Sequence, residues 1–218
     1  MRPVETVRAR FAKRGRLKYI SHLDVTRCLS RVFSRCGLPI WYTQGFNPHP
    51  YLTFALPLPL GFESECETFD FRLTEPVDYD TVRERLNAAL PPDLRVLSVA
   101  APQDPPETIY RADYRITVFD TPETGEALER FLASETIPVT KKTKRGQQEI
   151  DLKAMMTVLS LEMRGDKTIL TVRLPAGGTL NVNPTLLTAA FAEWQGKEPY
   201  HTTMERLAVL KKDLTDFC

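Results

Sequence analysis

Apolar and polar residues alternate along Val7-Arg8-Ala9-Arg10-Phe11. A period of two predicts a strand with one buried face, and it puts Arg8 and Arg10 on the other face. Lys13-Arg14-Gly15-Arg16 reads as a basic turn, and Leu17 to Ile20 either extends the strand or leads into the next element. From Ser21 the period changes. Val25, Leu29, Val32, Phe33 and Cys36 recur at three- and four-residue spacing, which predicts a helix reaching about Cys36. Ser21-x-x-Asp24 resembles a capping box with Asp in place of Glu or Gln, and Gly37 and Pro39 stop the helix. Arg27, Arg31 and Arg35 recur every four residues along another side.

The pattern then breaks into short runs. Ile40-Trp41-Tyr42 and Leu52 to Leu56 read as strands on either side of a loop, Gln44 to Pro50. Glu67 to Leu73 alternates cleanly as a strand, Asp78 to Leu90 reads as a helix, and Leu94 to Val99 as a strand. With the short pair counted as one broken strand, the order is β-α-β-β-α-β, the split β-α-β or ferredoxin-like arrangement. Three prolines within Ala101 to Pro106 mark a linker.

Beyond it, Arg111 to Phe119 reads as a strand and Gly125 to Ser134 as a helix. Val139 to Arg145 is basic and extended, and Ile150 to Val158 fits neither period. Leu159 to Met163 and Thr168 to Leu174 form a hairpin. Asn183 caps a helix with Pro184 at its first position, and Met204 to Leu210 closes as a strand. The expected fold is therefore α+β: two ferredoxin-like halves in tandem, 1–102 and 103–218, with antiparallel sheets and helices on one face. The second half adds a hairpin and a basic loop.

Composition changes this picture little. The 218 residues carry 42% hydrophobic residues and a formal net charge of +1, so no polyanionic partner is demanded by the total. The distribution says more. Ten Lys or Arg precede Gly37 against Glu5 and Asp24, and a second basic cluster follows at Lys141, Lys142, Lys144 and Arg145. Two basic islands suggest a local anion-binding face, or two solvated basic edges. Cys28, Cys36, Cys66 and Cys218 form no C-x-x-C pair and no zinc spacing, which suits reduced thiols in a cytoplasmic chain. No run approaches a membrane span.

The candidate chemistry lies in two stretches, Lys18 to Asp24 and Tyr42 to Pro50, expected to meet in one site. His22 at a helix start should stay neutral, because the dipole there favours anions; it is usable as a base. With Lys18 and Arg27 nearby, it could grip a phosphate at the helix N-terminus, and Ser21, Asp24 and Arg31 are counted among the binding candidates. His49 is, with His22 and Lys18, a candidate for catalysis; Gln44 and Asn47 offer hydrogen-bonding groups, and Phe46, Tyr42 and Tyr19 offer faces for a nucleobase. Lys141 and Lys142 add cations. The plainer alternative is that the histidines and amides fix the loop and the rings pack in the core. No phosphate-cradling glycine loop, dinucleotide fingerprint, nucleophile elbow or metal-binding His pair is present, so neither cofactor nor metal is expected.

Leu17 to Asp24, Gly37-Leu38-Pro39, Gln44 to Pro50 and Phe54 to Gly61 together resemble a bacterial family of unknown function called radical SAM-linked proteins. Its members occur beside, or fused to the end of, radical SAM enzymes. The resemblance implies an accessory role, presenting an RNA substrate to a separate radical SAM protein, since this chain has no C-x-x-x-C-x-x-C site. Three functions follow as expectations: a non-catalytic RNA-binding or substrate-presenting module acting on tRNA or rRNA; a metal-independent ribonuclease using His22 and Lys18; and a purely protein-interaction subunit.

Overall fold

A computed structural model describes residues 5–119, 122–143 and 146–218. The chain is α+β and falls into two compact units, Met1–Thr108 with Phe217–Cys218, and Ile109–Asp216.

The first unit contains strand β1 (Glu5–Lys13), helix α1 (His22–Phe33), β2 (Leu52–Phe54), β3 (Phe62–Leu73), helix α2 (Tyr79–Ala89) and β4 (Leu94–Ala100). Its strands pair in the order β4-β1-β3-β2, every pairing antiparallel. Val7, Ala9 and Phe11 face Phe71, Phe69 and Glu67 across the ladder. The period of two thus places one row of side chains on the helix side. The stripe Val25, Leu29, Val32, Phe33 and Cys36 covers that row, and Val82 and Leu86 of α2 join it in one core.

Several boundaries differ from expectation, each for a local reason. β1 runs on to Lys13, and β3 begins at Phe62 because the alternation extends through Ser64 and Cys66. Gly15–Tyr19 forms a 3₁₀ turn rather than strand or helix, with Gly15 at φ 56°. Ile40 and Tyr42 make only isolated bridges, to Leu73 and Pro50, so no strand forms there.

The second unit contains β5 (Ile109–Phe119), α3 (Pro122–Leu132), β6 (Pro138–Thr143), β7 (Gly146–Asp151), α4 (Leu152–Met155), β8 (Thr157–Arg164), β9 (Lys167–Pro175), α5 (Thr185–Gln195) and β10 (His201–Lys211). One antiparallel sheet has the order β10-β5-β9-β8, and β6 and β7 form a separate hairpin. The expected hairpin, Leu159 to Leu174, is therefore part of the main sheet, and the added hairpin is the one that carries Lys141 and Lys142. Asn183 Oδ1 accepts from the Thr185 N–H at 3.0 Å, and the helix starts one residue later than the proline position suggests. Among the described residues, no helix is long and apolar enough to cross a membrane.

Candidate functional site

The start of α1 is closed by its own cap. Ser21 Oγ accepts from the Asp24 N–H at 3.2 Å, and the Asp24 carboxylate accepts from the Ser21 N–H at 3.3 Å and from its hydroxyl at 2.6 Å. These bonds, the Ser21 hydroxyl first, hold the Asp24 carboxyl below its usual range. A fixed negative charge therefore occupies the place where a phosphate was expected, and it disfavours an anion there.

His22 turns inward. Its ring meets Phe54 edge-on at 4.6 Å, and it lines a cavity of about 10 Å³ with Phe11, Lys13, Val25, Phe54, Leu58 and Glu67. That space suits about one water molecule. Burial, then the Lys13 cation, push the imidazole pKa down, while Glu67 opposes them. Lys13 is itself buried, donates to the Ile20 carbonyl at 3.2 Å, and has its pKa lowered by desolvation against the pull of Glu67. Lys13 and Glu67 escaped the sequence reading, although both continue the period of two from Phe11 and Phe69 onto the core face. Such a group can hold His22 neutral; it offers a substrate little access.

The neutral imidazole gives a pH dependence of known sign. The unfolded chain binds the His22 proton more readily than the folded one, so stability is fully present above the unfolded pKa, near 6.5, and falls as pH drops below it. Urea denaturation of wild type and His22→Gln between about pH 7.5 and 5 checks this. The wild type is expected to lose stability relative to the variant as pH falls; a constant difference would remove the assignment.

Lys18 takes other partners. Its ammonium lies 3.5 Å from Glu63 and 5.3 Å from the centre of the Tyr19 ring, and Tyr19 is exposed. Among the described residues, no hydrogen bond, ion pair or ring contact joins Lys18 to His22, or either to the loop.

That loop is pinned at its neck. The Thr43 N–H donates to the His49 carbonyl at 2.8 Å, and the His49 N–H donates to Thr43 Oγ1 at 3.2 Å. His49 Nδ1 lies 3.1 Å from both Thr43 Oγ1 and the Asn47 carbonyl. His49 thus braces its own loop and does not approach His22 through any of these bonds. The side chains of Gln44 and Asn47 are exposed, and Phe46 projects with its ring wholly outside the protein, at 111% relative exposure. The base of the loop reaches α1 through Tyr42 Oη, 3.5 Å from Ser34 Oγ.

The open cationic feature is on α1. Arg27 and Arg31, about 6 Å apart along the axis, and Arg35 just past the helix end line a groove of about 510 Å³ with Asp24, Cys28, Ala89, Leu90 and Pro91. Arg35 Nη2 donates to the Ala89 carbonyl at 2.9 Å, which holds α1 against the end of α2. Arg27 touches Asp24 at 3.4 Å in an exposed pair. Arg31 is exposed, and the described residues give its guanidinium no hydrogen bond or ion pair. Burial raises the Cys28 thiol pKa, with Arg35 and then Arg31 pulling the other way, so the groove holds a protonated thiol rather than a nucleophile.

Arg8, expected on the displayed face of β1, is not available. The opposite side of the sheet is covered there, and Arg8 is 5% exposed, paired with Asp70 through two bonds of 2.7 and 2.8 Å. Lys141 sits on β6 opposite Gln148, and Lys142 opposite Gln147. The Lys142 side chain, Lys144 and Arg145 lie outside the described residues.

A family model described as "Uncharacterized protein conserved in bacteria (DUF2344)" matches residues 6–184. The chain belongs to this family. A search of curated proteins found no match. In this DUF2344 chain the cap, the loop, the arginine groove and Lys141 all fall inside the matched stretch, whereas α5 and β10 lie beyond it. The family description names no activity.

Proposed function

We propose that this DUF2344 protein is an accessory RNA-binding or substrate-presenting protein, acting on tRNA or rRNA beside a separate radical SAM enzyme. The observation that carries the RNA part is the groove along α1, where Arg27, Arg31 and Arg35 line one side and Arg31 is exposed, with no hydrogen bond or ion pair to its guanidinium among the described residues. Guanidinium groups repeated at each helical turn suit successive backbone phosphates, which supply most of the affinity and none of the sequence reading. The radical SAM partner rests on the resemblance carried by Leu17 to Asp24 and Gln44 to Pro50. We also read each unit as ferredoxin-like, supported by the strand orders β4-β1-β3-β2 and β10-β5-β9-β8 with a helix between strands on either side.

The test is titration of the purified protein into labelled total cellular RNA at salt between about 50 and 200 mM. Three phosphate contacts should give a slope of log K against log salt of about −2, taking about −0.7 per contact on single strands. Negligible binding at the lowest salt would remove RNA as the partner. Capture of a radical SAM protein without RNA would favour the protein-interaction role instead.

A further inference from the structure

We propose that Phe46 is a stacking platform for an unpaired nucleobase, so that the RNA held by the arginine groove is single-stranded or looped at this point, not continuous duplex. This rests on the RNA reading of the groove and adds the class of RNA.

The ring of Phe46 is fully exposed, on a loop whose neck is closed by the Thr43 and His49 bonds and by the Tyr42–Pro50 bridge. A large apolar side chain held in water by an ordered loop gives up the favourable burial it would have if folded back. The same order means that little entropy is lost when a partner settles on the ring. Only a partner recovers that burial.

The surroundings favour a base over a protein pocket. Protein anchors sit within a desolvated apolar cluster. Phe46 instead lies between Gly45 and Asn47, with Gln44 beside them, and both amide side chains are exposed and without hydrogen bonds among the described residues. Each amide offers donors and an acceptor, which a base edge can use once its ring is stacked. No charged residue occurs from Trp41 to Phe62, so nothing in the loop repels a polyanion. Tyr42 brings the base of the loop to Ser34, between Arg31 and Arg35 in the chain. Bases inside a duplex are stacked on one another and leave no face for the ring, whereas unpaired bases do.

Fluorescence anisotropy compares a labelled single-stranded RNA of about a dozen nucleotides with its blunt duplex, on wild type, Phe46→Ala, Phe46→Trp and Arg31→Ala. Wild type should prefer the single strand. Phe46→Ala should weaken single-strand binding by about 5- to 150-fold with an unchanged salt slope, and Phe46→Trp should restore it, with tryptophan quenching on binding. Arg31→Ala should instead lower the slope. Unchanged single-strand affinity in Phe46→Ala, or equal affinity for the duplex, overturns the proposal and leaves the groove reading intact. Loss of a protein partner in Phe46→Ala with RNA affinity unaltered overturns it in favour of a protein pocket. Failure of wild type to bind either RNA at low salt removes the groove reading itself. Because the Phe46 ring is fully exposed, its variants should keep the wild-type urea midpoint, so folding does not confound the result.

Discussion

Replacing Arg8 by alanine is expected to destabilise the first unit by about 3–5 kcal/mol, the range for breaking a buried ion pair from one side. The guanidinium is almost wholly buried. Nε and Nη2 grip the two oxygens of Asp70 at 2.7 and 2.8 Å, Nη1 donates to the carbonyls of Asp104 and Cys218, and the Phe217 ring lies 4.6 Å away. Alanine leaves the Asp70 carboxylate and two carbonyls without these donors. Urea denaturation should show the loss directly. Arg8→Lys should lose part of it, since an ammonium keeps the charge but not the two-pronged geometry. The double variant Arg8→Ala/Asp70→Ala should be less destabilised than the two singles added together, because the stranded carboxylate is gone. A single variant within about 0.5 kcal/mol of wild type, the scatter of ordinary surface changes, would mean that the pair does not hold the sheet.

Arg27→Ala/Arg31→Ala is expected to do the reverse. Both side chains are exposed, and the Arg27–Asp24 contact is long and solvated, so stability should stay within about 0.5 kcal/mol of wild type. RNA affinity at about 50 mM salt should fall by roughly ten- to a hundredfold, and the salt slope should lose about 1.4, or 0.7 for each phosphate contact removed. The loss should be nearly the same for all sequences, since phosphates carry none. Unchanged affinity, or an unchanged slope, would place the RNA elsewhere on the protein. Arg35 is left in place because its bond to Ala89 also holds α2.

These two arginine sites look alike in the sequence, and what separates them is not local. The alternation around Arg8 correctly places it opposite Val7 and Ala9. That the outer face is covered depends on Asp104 and Phe217–Cys218, far along the chain, and no periodicity reports such a contact. Where the structure is local, the pattern was sufficient. The stripe from Val25 to Cys36 and the Ser21/Asp24 box located α1 because a helix advertises its buried face and its cap within a few residues. Lys13 and Glu67 carry charges, which usually mark exposed positions, yet their phase turns them inward. The β6–β7 hairpin stayed hidden because Thr140, Lys141, Gln147, Gln148 and Glu149 offer no apolar row to alternate. His22 was expected to be neutral because of the helix dipole. It is held neutral by burial and by Lys13, a strand neighbour that helix rules do not consider.

The attachment of the loop has a geometric consequence. Trp41 N–H bonds to the Arg72 carbonyl at 2.8 Å, Tyr42 bridges to Pro50, and its hydroxyl reaches Ser34, so the spacing between Phe46 and the guanidinium row is set by the scaffold. The surface then acts as a ruler. On the proposed RNA reading, an oligonucleotide too short to span from one grip to the other should gain from either but not both, and affinity should climb in a step once the strand is long enough for the second contact to become intramolecular.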